Sequence, residues 1–223
     1  MEKIKDLCRK YWHGFLPIIY LPIYMRWFLY LEENVNSSCH IITTKLDTLI
    51  PFCEYFIIPY FLWFAYITVV GLVFFFHNRE DFIRYCIFLF TGMSISLFVC
   101  TIWPNGLRLR PALADIGRDN VYINMVHFLY KTDTPTNVCP SIHVLNSCGA
   151  FIAVLKSETL KDNKKARVFA GFLSVSIILS TMFLKQHSCV DVVCAIMLSY
   201  FVYIIAYVPD YSSLHKRAVI SRY

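Results

Sequence analysis

Apolar residues along this chain gather into six blocks, 12–31, 56–76, 82–103, 142–155, 168–184 and 190–208, divided by short charged stretches. Most of these blocks have the roughly 17–22 residues that a helix needs to cross a ~30 Å hydrocarbon layer. The pattern predicts an all-α fold: a polytopic membrane protein with six transmembrane helices in a single bundle, one domain over residues 1–223. The fourth block is short. The first carries Pro17, Pro22 and Arg26, and proline is tolerated in a lipid-embedded helix where neighbouring helices satisfy the carbonyls it frees. That first block is too long, too aromatic and too poor in small residues at its end for a cleaved signal peptide, so it is expected to be retained.

The composition points the same way. Of 223 residues, 57% are apolar and 16% charged, with a mean hydropathy of +0.53, whereas an average soluble domain is about 45–50% apolar and about 25% charged. The net charge of +6 does not imply a nucleic-acid partner, because the basic residues sit between apolar blocks instead of along one amphipathic face. Lys3, Lys5, Arg9, Lys10, Arg79, Arg84, Lys156, Lys161, Lys164, Lys165, Arg167, Lys216, Arg217 and Arg222 fall on one side of a six-span scheme. The other side holds Lys45, Arg108, Arg110, Arg118, Lys131 and Lys185. The positive-inside rule then places both termini in the cytoplasm and the loop 104–140 on the outer face of the cell membrane. Asn36-Ser37-Ser38, on that outer side, is an N-glycosylation sequon. The nine cysteines form no Cys-x-x-Cys pair, so no zinc site is expected. Cys86, Cys100, Cys148 and Cys194 read as small hydrophobes within blocks. Cys39, Cys53, Cys139 and Cys189 lie near the outer face, where a disulfide could form with a pairing the sequence leaves open.

Ionisable and helix-punctuating residues meet the predicted outer ends of spans three to six in three clusters, and such groups near lipid are functional candidates by default. In the first, Trp103-Pro104-Asn105-Gly106-Leu107-Arg108-Leu109-Arg110-Pro111, two arginines at alternate positions could offer planar forks to a phosphate; the plainer reading is an interfacial loop whose arginines snorkel to headgroups. The second, Cys139-Pro140-Ser141-Ile142-His143-Val144, opens span four. There the amides of Ser141, Ile142 and His143 make a helix-end anion site with His143 one turn inside, or simply a capped helix start. The third runs from Ser180 to Asp191. His187 and Asp191 are four residues apart, which on a helix puts both on one face with the carboxylate on the imidazole Nδ1 and Nε2 left free. This is the nucleophile-and-orienter half of a triad, or a pair that only locks two helices together.

Together and in this order, these segments resemble the type 2 phosphatidic acid phosphatase superfamily, over residues 50–208. The family's first segment ends in Arg-Pro with a Lys seven positions before the Arg; here Arg110 and Pro111 match and Trp103 stands at the Lys position. The second, Pro-Ser-x-His, is matched by Pro140, Ser141 and His143, with Ile142 for the usual Gly. The third is matched by Ser180, His187 and Asp191, with Thr181 for the usual Arg. The Lys-Gln-His triplet is similar to that of inositol-phosphoceramide-synthase-like members.

The resemblance implies a membrane lipid phosphatase that uses no metal and no cofactor. His187 would attack a lipid phosphomonoester or polyprenyl pyrophosphate in line, forming a phosphohistidine, while His143 acts as general acid and then general base and Asp191 orients His187. Because two family cations are replaced, Arg108, Arg110 and Lys185 are expected to supply the positive charge. Ser141, the amide of Ile142 and Ser180 would complete the phosphate cradle, with Arg118 and Lys131 as surface charges. The expected partners are a lipid phosphate and the membrane, with no nucleic acid. A lipid phosphotransferase, passing the same phosphoryl group to an alcohol, is the nearest rival; a non-enzymatic lipid-binding or transport protein is the remote one.

Overall fold

The computed structural model describes residues 11–34 and 39–209; the sequon at Asn36 and the basic residues at 3–10 and 216–222 lie outside them. Eight α-helices run through the described residues: α1 Phe15–Asn34, α2 Lys45–Leu49, α3 Ile57–His77, α4 Arg79–Ile102, α5 Val121–Thr132, α6 Ile142–Lys156, α7 Lys164–Phe183 and α8 Cys189–Tyr207. The strands are a single two-residue parallel pair, β1 His40–Ile41 with β2 Asn105–Gly106. The fold is all-α, as the block pattern predicts. Polar residues punctuate the helices where the apolar runs break. The side chain of Asn78 accepts from the amides of Glu80 and Asp81 to start α4 one residue after α3 ends, and Asn163, Ser141 and Ser188 cap α7, α6 and α8 in the same way, each satisfying an amide that the helix itself leaves unpaired.

Five helical segments, those at Trp12–Asn34, Glu54–His77, Arg79–Ile102, Lys164–Phe183 and Cys189–Tyr207, are long and apolar enough to cross a membrane. The predicted fourth span does not join them. Helix α6 has 15 residues, about 22 Å at 1.5 Å per residue, short of a ~30 Å hydrocarbon layer. The reason lies in its position: α6 is the central helix, packed against α3, α4, α7 and α8. A helix walled by protein need not match the thickness of lipid. Its contact faces are lined by small residues. A Cβ on Gly149 would lie 2.4 Å from Phe88 of α4, and one on Gly92 would lie 2.5 Å from Leu145 of α6, so these glycines set how closely the two helices approach.

The two ends of the bundle differ in character. At one end the Ser157 hydroxyl donates to Asp81 at 2.7 Å and Arg84 pairs with Glu80 at 2.7 Å, beside the basic stretch of 156–167. At the other end the Cys53 amide donates to the Phe183 carbonyl at 3.1 Å and the Cys189 amide to Asp47 at 2.7 Å. The segment 104–140, expected as a loop, contains α5. Ile123, Val126 and Leu129 are its buried residues, spaced along one face, and Val126 and Leu129 pack with Ile57, Tyr60 and Leu184 into a small core of their own. Among the described residues Cys39, Cys53, Cys139 and Cys189 are free thiols.

Candidate active site

The first predicted cluster folds inward around Asn105. This side chain is fully buried; its Oδ1 accepts from the amides of Val138 (3.0 Å) and Cys139 (2.8 Å), and its Nδ2 donates to the carbonyls of Trp103 (2.9 Å) and Cys139 (3.2 Å). The end of α4 is thereby stapled to the residues that lead into α6. Ser141 is the N-cap of α6 and accepts from the Val144 amide at 3.4 Å. Within that first turn, the His143 ring lies against Tyr60 (4.6 Å between centroids, 29° apart) and Trp63 (4.4 Å) of α3.

The third cluster is a tight reversal between α7 and α8. Gln186 and His187 both donate their amides to the Thr181 carbonyl, at 2.9 and 3.0 Å, and Lys185 takes a φ of 56° to turn the chain. Helix α8 begins at Cys189 with Ser188 as N-cap, so His187 stands before the helix and not on its face. What joins it to Asp191 is a capping box. Asp191 Oδ2 accepts from the Ser188 amide (2.9 Å) and from His187 Nδ1 (3.2 Å), while Oδ1 accepts from the Ser188 hydroxyl (2.9 Å). The carboxylate is fully buried. With the proton on Nδ1, the lone pair of the imidazole is on Nε2. The His143 and His187 rings are 5.9 Å apart, inclined at 55°.

Arg110 joins this group from behind. Its guanidinium donates to the carbonyls of Tyr130 (3.1 Å) and Asp133 (2.7 Å) and, through a short contact, to Gln186 Oε1, and it lies 4.5 Å over the Tyr130 ring. Burial lowers its pKa from the ordinary value, against the pull of Asp133; a guanidinium nevertheless stays charged. The Asp133 side chain accepts from the Tyr60 hydroxyl at 3.1 Å. Burial pushes this carboxyl up, opposed by His187, the Tyr60 hydrogen bond and Arg110.

The remaining predicted phosphate ligands are placed differently. Lys185 is buried and its ammonium donates to the carbonyls of Asp47 (2.7 Å) and Ile50; the left-handed turn aims it at the segment around α2, away from His187. Arg108 is exposed; the irregular backbone here departs from the strict alternation that would put Arg108 and Arg110 on one face. The Ser180 hydroxyl is fully buried and donates to the Ile177 carbonyl at 2.6 Å within α7. Trp103, at the family's Lys position, stacks on His40 at 5.7 Å, and Thr181 donates to the Ile178 carbonyl at 2.8 Å. Arg118, expected as a surface charge, pairs at 3.1 Å with the fully buried Glu54; Lys131 is exposed.

A cavity of about 480 Å³ opens beside the two histidines. Phe28 of α1, Trp63 and Phe64 of α3 and Phe128 of α5 contribute apolar walls, and Ile142, Gln186, His143 and His187 stand at the polar part. Sequence reasoning passed over Tyr60, Asp133, Gln186 and Glu32, all of which border this cavity. Gln186 carried a usable signal, a polar residue flanking a candidate histidine at the end of an apolar block. Tyr60 carried none in a chain with 15 tyrosines.

Comparison with known proteins adds little to this geometry. No family model matches the chain, and no solved structure matches it. An uncharacterized protein of Methanocaldococcus jannaschii is similar, 26% identical over 168 residues that make up 75% of this chain and 66% of that protein; the chain thus spans slightly less than two thirds of the relative's length.

Proposed function

We propose that this protein is a membrane lipid phosphatase that releases phosphate from a lipid phosphomonoester or polyprenyl pyrophosphate through a phosphohistidine on His187. The observation that carries the reading is the pair of imidazoles 5.9 Å apart, one of them held through Nδ1 by the buried Asp191. That separation suits a phosphoryl group between the rings. Nε2 of His187 attacks phosphorus; the bond to the leaving oxygen breaks with its electron pair on that oxygen, and His143 supplies the proton. The negative phosphate beside His143 favours the imidazolium this step needs. Asp191 stabilises the charge that develops on His187. His143, now neutral, takes a proton from water, whose oxygen attacks phosphorus and breaks the P–N bond. Charge on the equatorial oxygens is met by Gln186, polarised by Arg110, and by the amide end of α6.

A lipid substrate follows from position, since the cavity joins the imidazoles to aromatic walls between helices long enough to span a membrane. In this reading both termini are cytoplasmic and the site faces outward at the cell membrane, because the basic end of the bundle is the opposite one. The test is a phosphate-release screen over lipid phosphates and pyrophosphates in detergent, with EDTA present and without added alcohol. Turnover by the wild type that His187→Ala abolishes supports the reading. No release, or release that survives the substitution, sinks it; a parallel reaction with an added alcohol that yields the alcohol's phosphate ester in place of inorganic phosphate would make the protein a phosphotransferase.

A further inference from the structure

Arg110, expected as a phosphate ligand, stands behind the cavity wall, and the residues that line the cavity include no lysine or arginine. Its Nη2 donates both to the Asp133 carbonyl at 2.7 Å and to Gln186 Oε1, and its Nη1 donates to the Tyr130 carbonyl. One guanidinium nitrogen thereby holds Asp133 and Gln186 side by side, and both of those residues border the cavity with His143 and His187. Gln186 Nε2 is buried with no hydrogen-bond partner. The Asp133 carboxyl is engaged at one oxygen: Oδ2 accepts from the Tyr60 hydroxyl at 3.1 Å, and among the described residues no other donor bonds to the carboxyl. The Tyr60 ring is buried and stacks on His143 at 4.6 Å, so a rigid support sets this carboxyl beside the imidazoles.

The groups around this carboxyl are Tyr60 from α3, His143 from α6, Gln186 and His187 from the turn before α8, Arg110 over Tyr130 of α5, and Glu32 from α1. Burial is the largest influence on Asp133 and raises its pKa, against the pulls of His187, the Tyr60 hydrogen bond and Arg110. A phosphate dianion entering a chamber that Glu32 already borders favours the proton further, because like charges disfavour ionisation. Resting on the phosphatase reading above, we infer that Asp133 is a further phosphate ligand: as a carboxylic acid it donates from Oδ1 to an oxygen of the phosphoryl group between His143 and His187, beside the amide of Gln186. This neutral donor serves where Trp103 and Thr181 replace two cations of the resembled family. An O–H donating to an anionic oxygen makes a short, strong hydrogen bond, whereas the ionised carboxylate turns lone pairs and negative charge toward the phosphate and repels it. One proton on Asp133 therefore decides whether this wall of the site attracts the phosphate, while His187 and His143 keep their roles in the chemistry.

The test compares the full-length wild type with Asp133→Asn in detergent, measuring kcat/KM for phosphate release from one lipid phosphate as a function of pH. Asparagine keeps an acceptor for Tyr60 and an N–H for the phosphate but does not titrate. Dividing the two profiles cancels the ionisation of the substrate and of the histidines, which both proteins share. The protonated form is the ligand, so its contribution is full below the raised pKa and is lost as pH rises through it. The variant should be slower at acid pH, where an amide is the weaker donor, and the ratio of wild type to variant should fall by about tenfold or more between about pH 5 and about pH 9. A ratio that is flat, as a merely structural role would give, overturns the inference, and so does one that rises with pH, which makes the carboxylate the working form. A second measurement needs no turnover. Infrared difference spectra at neutral pH should show the wild type gaining a carboxylic-acid C=O band when inorganic phosphate is added, and Asp133→Asn should gain none; no band in the wild type, or the same band in the variant, overturns the inference. If the variant does not fold, the wild-type spectrum decides alone. No release from any lipid phosphate removes the phosphatase reading itself, and the spectra then still show whether Asp133 meets phosphate as an acid.

Discussion

Asp191 accepts three hydrogen bonds from two adjacent residues, Ser188 and His187, so one carboxylate both starts α8 and sets the tautomer of the proposed nucleophile. Asp191→Asn places an amide where two or three donors converge. It should lower kcat for phosphate release about 10³-fold, since a wrongly held imidazole presents N–H instead of a lone pair; initial-rate measurements on the purified variant check this. Asn105 acts at one remove. Four of its hydrogen bonds hold the carbonyls of Trp103 and Cys139 and the amides of Val138 and Cys139, and Asn105→Ala would leave buried amides unpaired. The expected loss is about 1–3 kcal/mol of stability, read as a lower Tm in detergent, together with a fall in activity because α6 and His143 lose their anchor. Both residues stand in segments that the sequence marks as candidates. Their partners are fixed by atoms from distant segments, and spacing along the chain carries no record of those.

At the level of elements, the close pair α4 and α6 is sensitive to a single methyl group. Gly149→Ala sets a Cβ against the fully buried Phe88 at 2.4 Å and should cost about 1–3 kcal/mol by overpacking. Gly71→Ala meets Tyr85 only at 3.5 Å, ordinary contact, and should be neutral or slightly stabilising because alanine favours the helix. Thermal unfolding of the two variants side by side distinguishes steric from general glycine effects. The short helix α2 is tied to α8 and the turn before it in two ways, through Asp47 accepting the Cys189 amide and through Lys185 donating to the Asp47 and Ile50 carbonyls. Although burial alone would raise the Asp47 carboxyl, the hydrogen bonds from Cys189 and Thr44 hold it below the usual carboxylate range. Its stabilising contribution is thus present in full above about pH 4 and is lost as pH falls toward the lowered folded value. Wild-type Tm should drop through that acid window, and Asp47→Asn should start lower at neutral pH and drop less.

On the scale of the whole molecule, the helices alternate so that His143, His187, Arg110 and the segment 104–140 share one end while Arg79, Arg84 and the 156–167 stretch share the other. The topology proposed from this charge separation is open to direct test. Short epitopes inserted after Gly117 and after Asp162, both exposed, should appear on opposite sides of the membrane, with only the first reached by antibody on intact cells. Labelling of both from outside, or of the second alone, would reverse or remove the outward-facing site.

Much of this architecture was legible without coordinates. Long apolar runs are autonomous signals, because in lipid each helix must satisfy its own backbone, and so five of the six blocks appear as helices long enough to cross a membrane, with the sixth a shorter helix in the place expected. The three polar clusters were legible for the same reason, as charges and caps interrupt those runs. What the chain did not reveal is which polar atom faces which. Lys185 and His187 are two residues apart, yet the ammonium serves the Asp47 and Ile50 carbonyls while the imidazole borders the cavity. Arg108 and Arg110 diverge in the same manner, and Glu32 and Tyr60 enter the site from segments with no motif at all. A turn at positive φ, a central helix packed against four others and the fold of the segment 104–140 make those choices, since side-chain direction depends on packing among segments far apart in the chain, and only the tertiary structure supplies it.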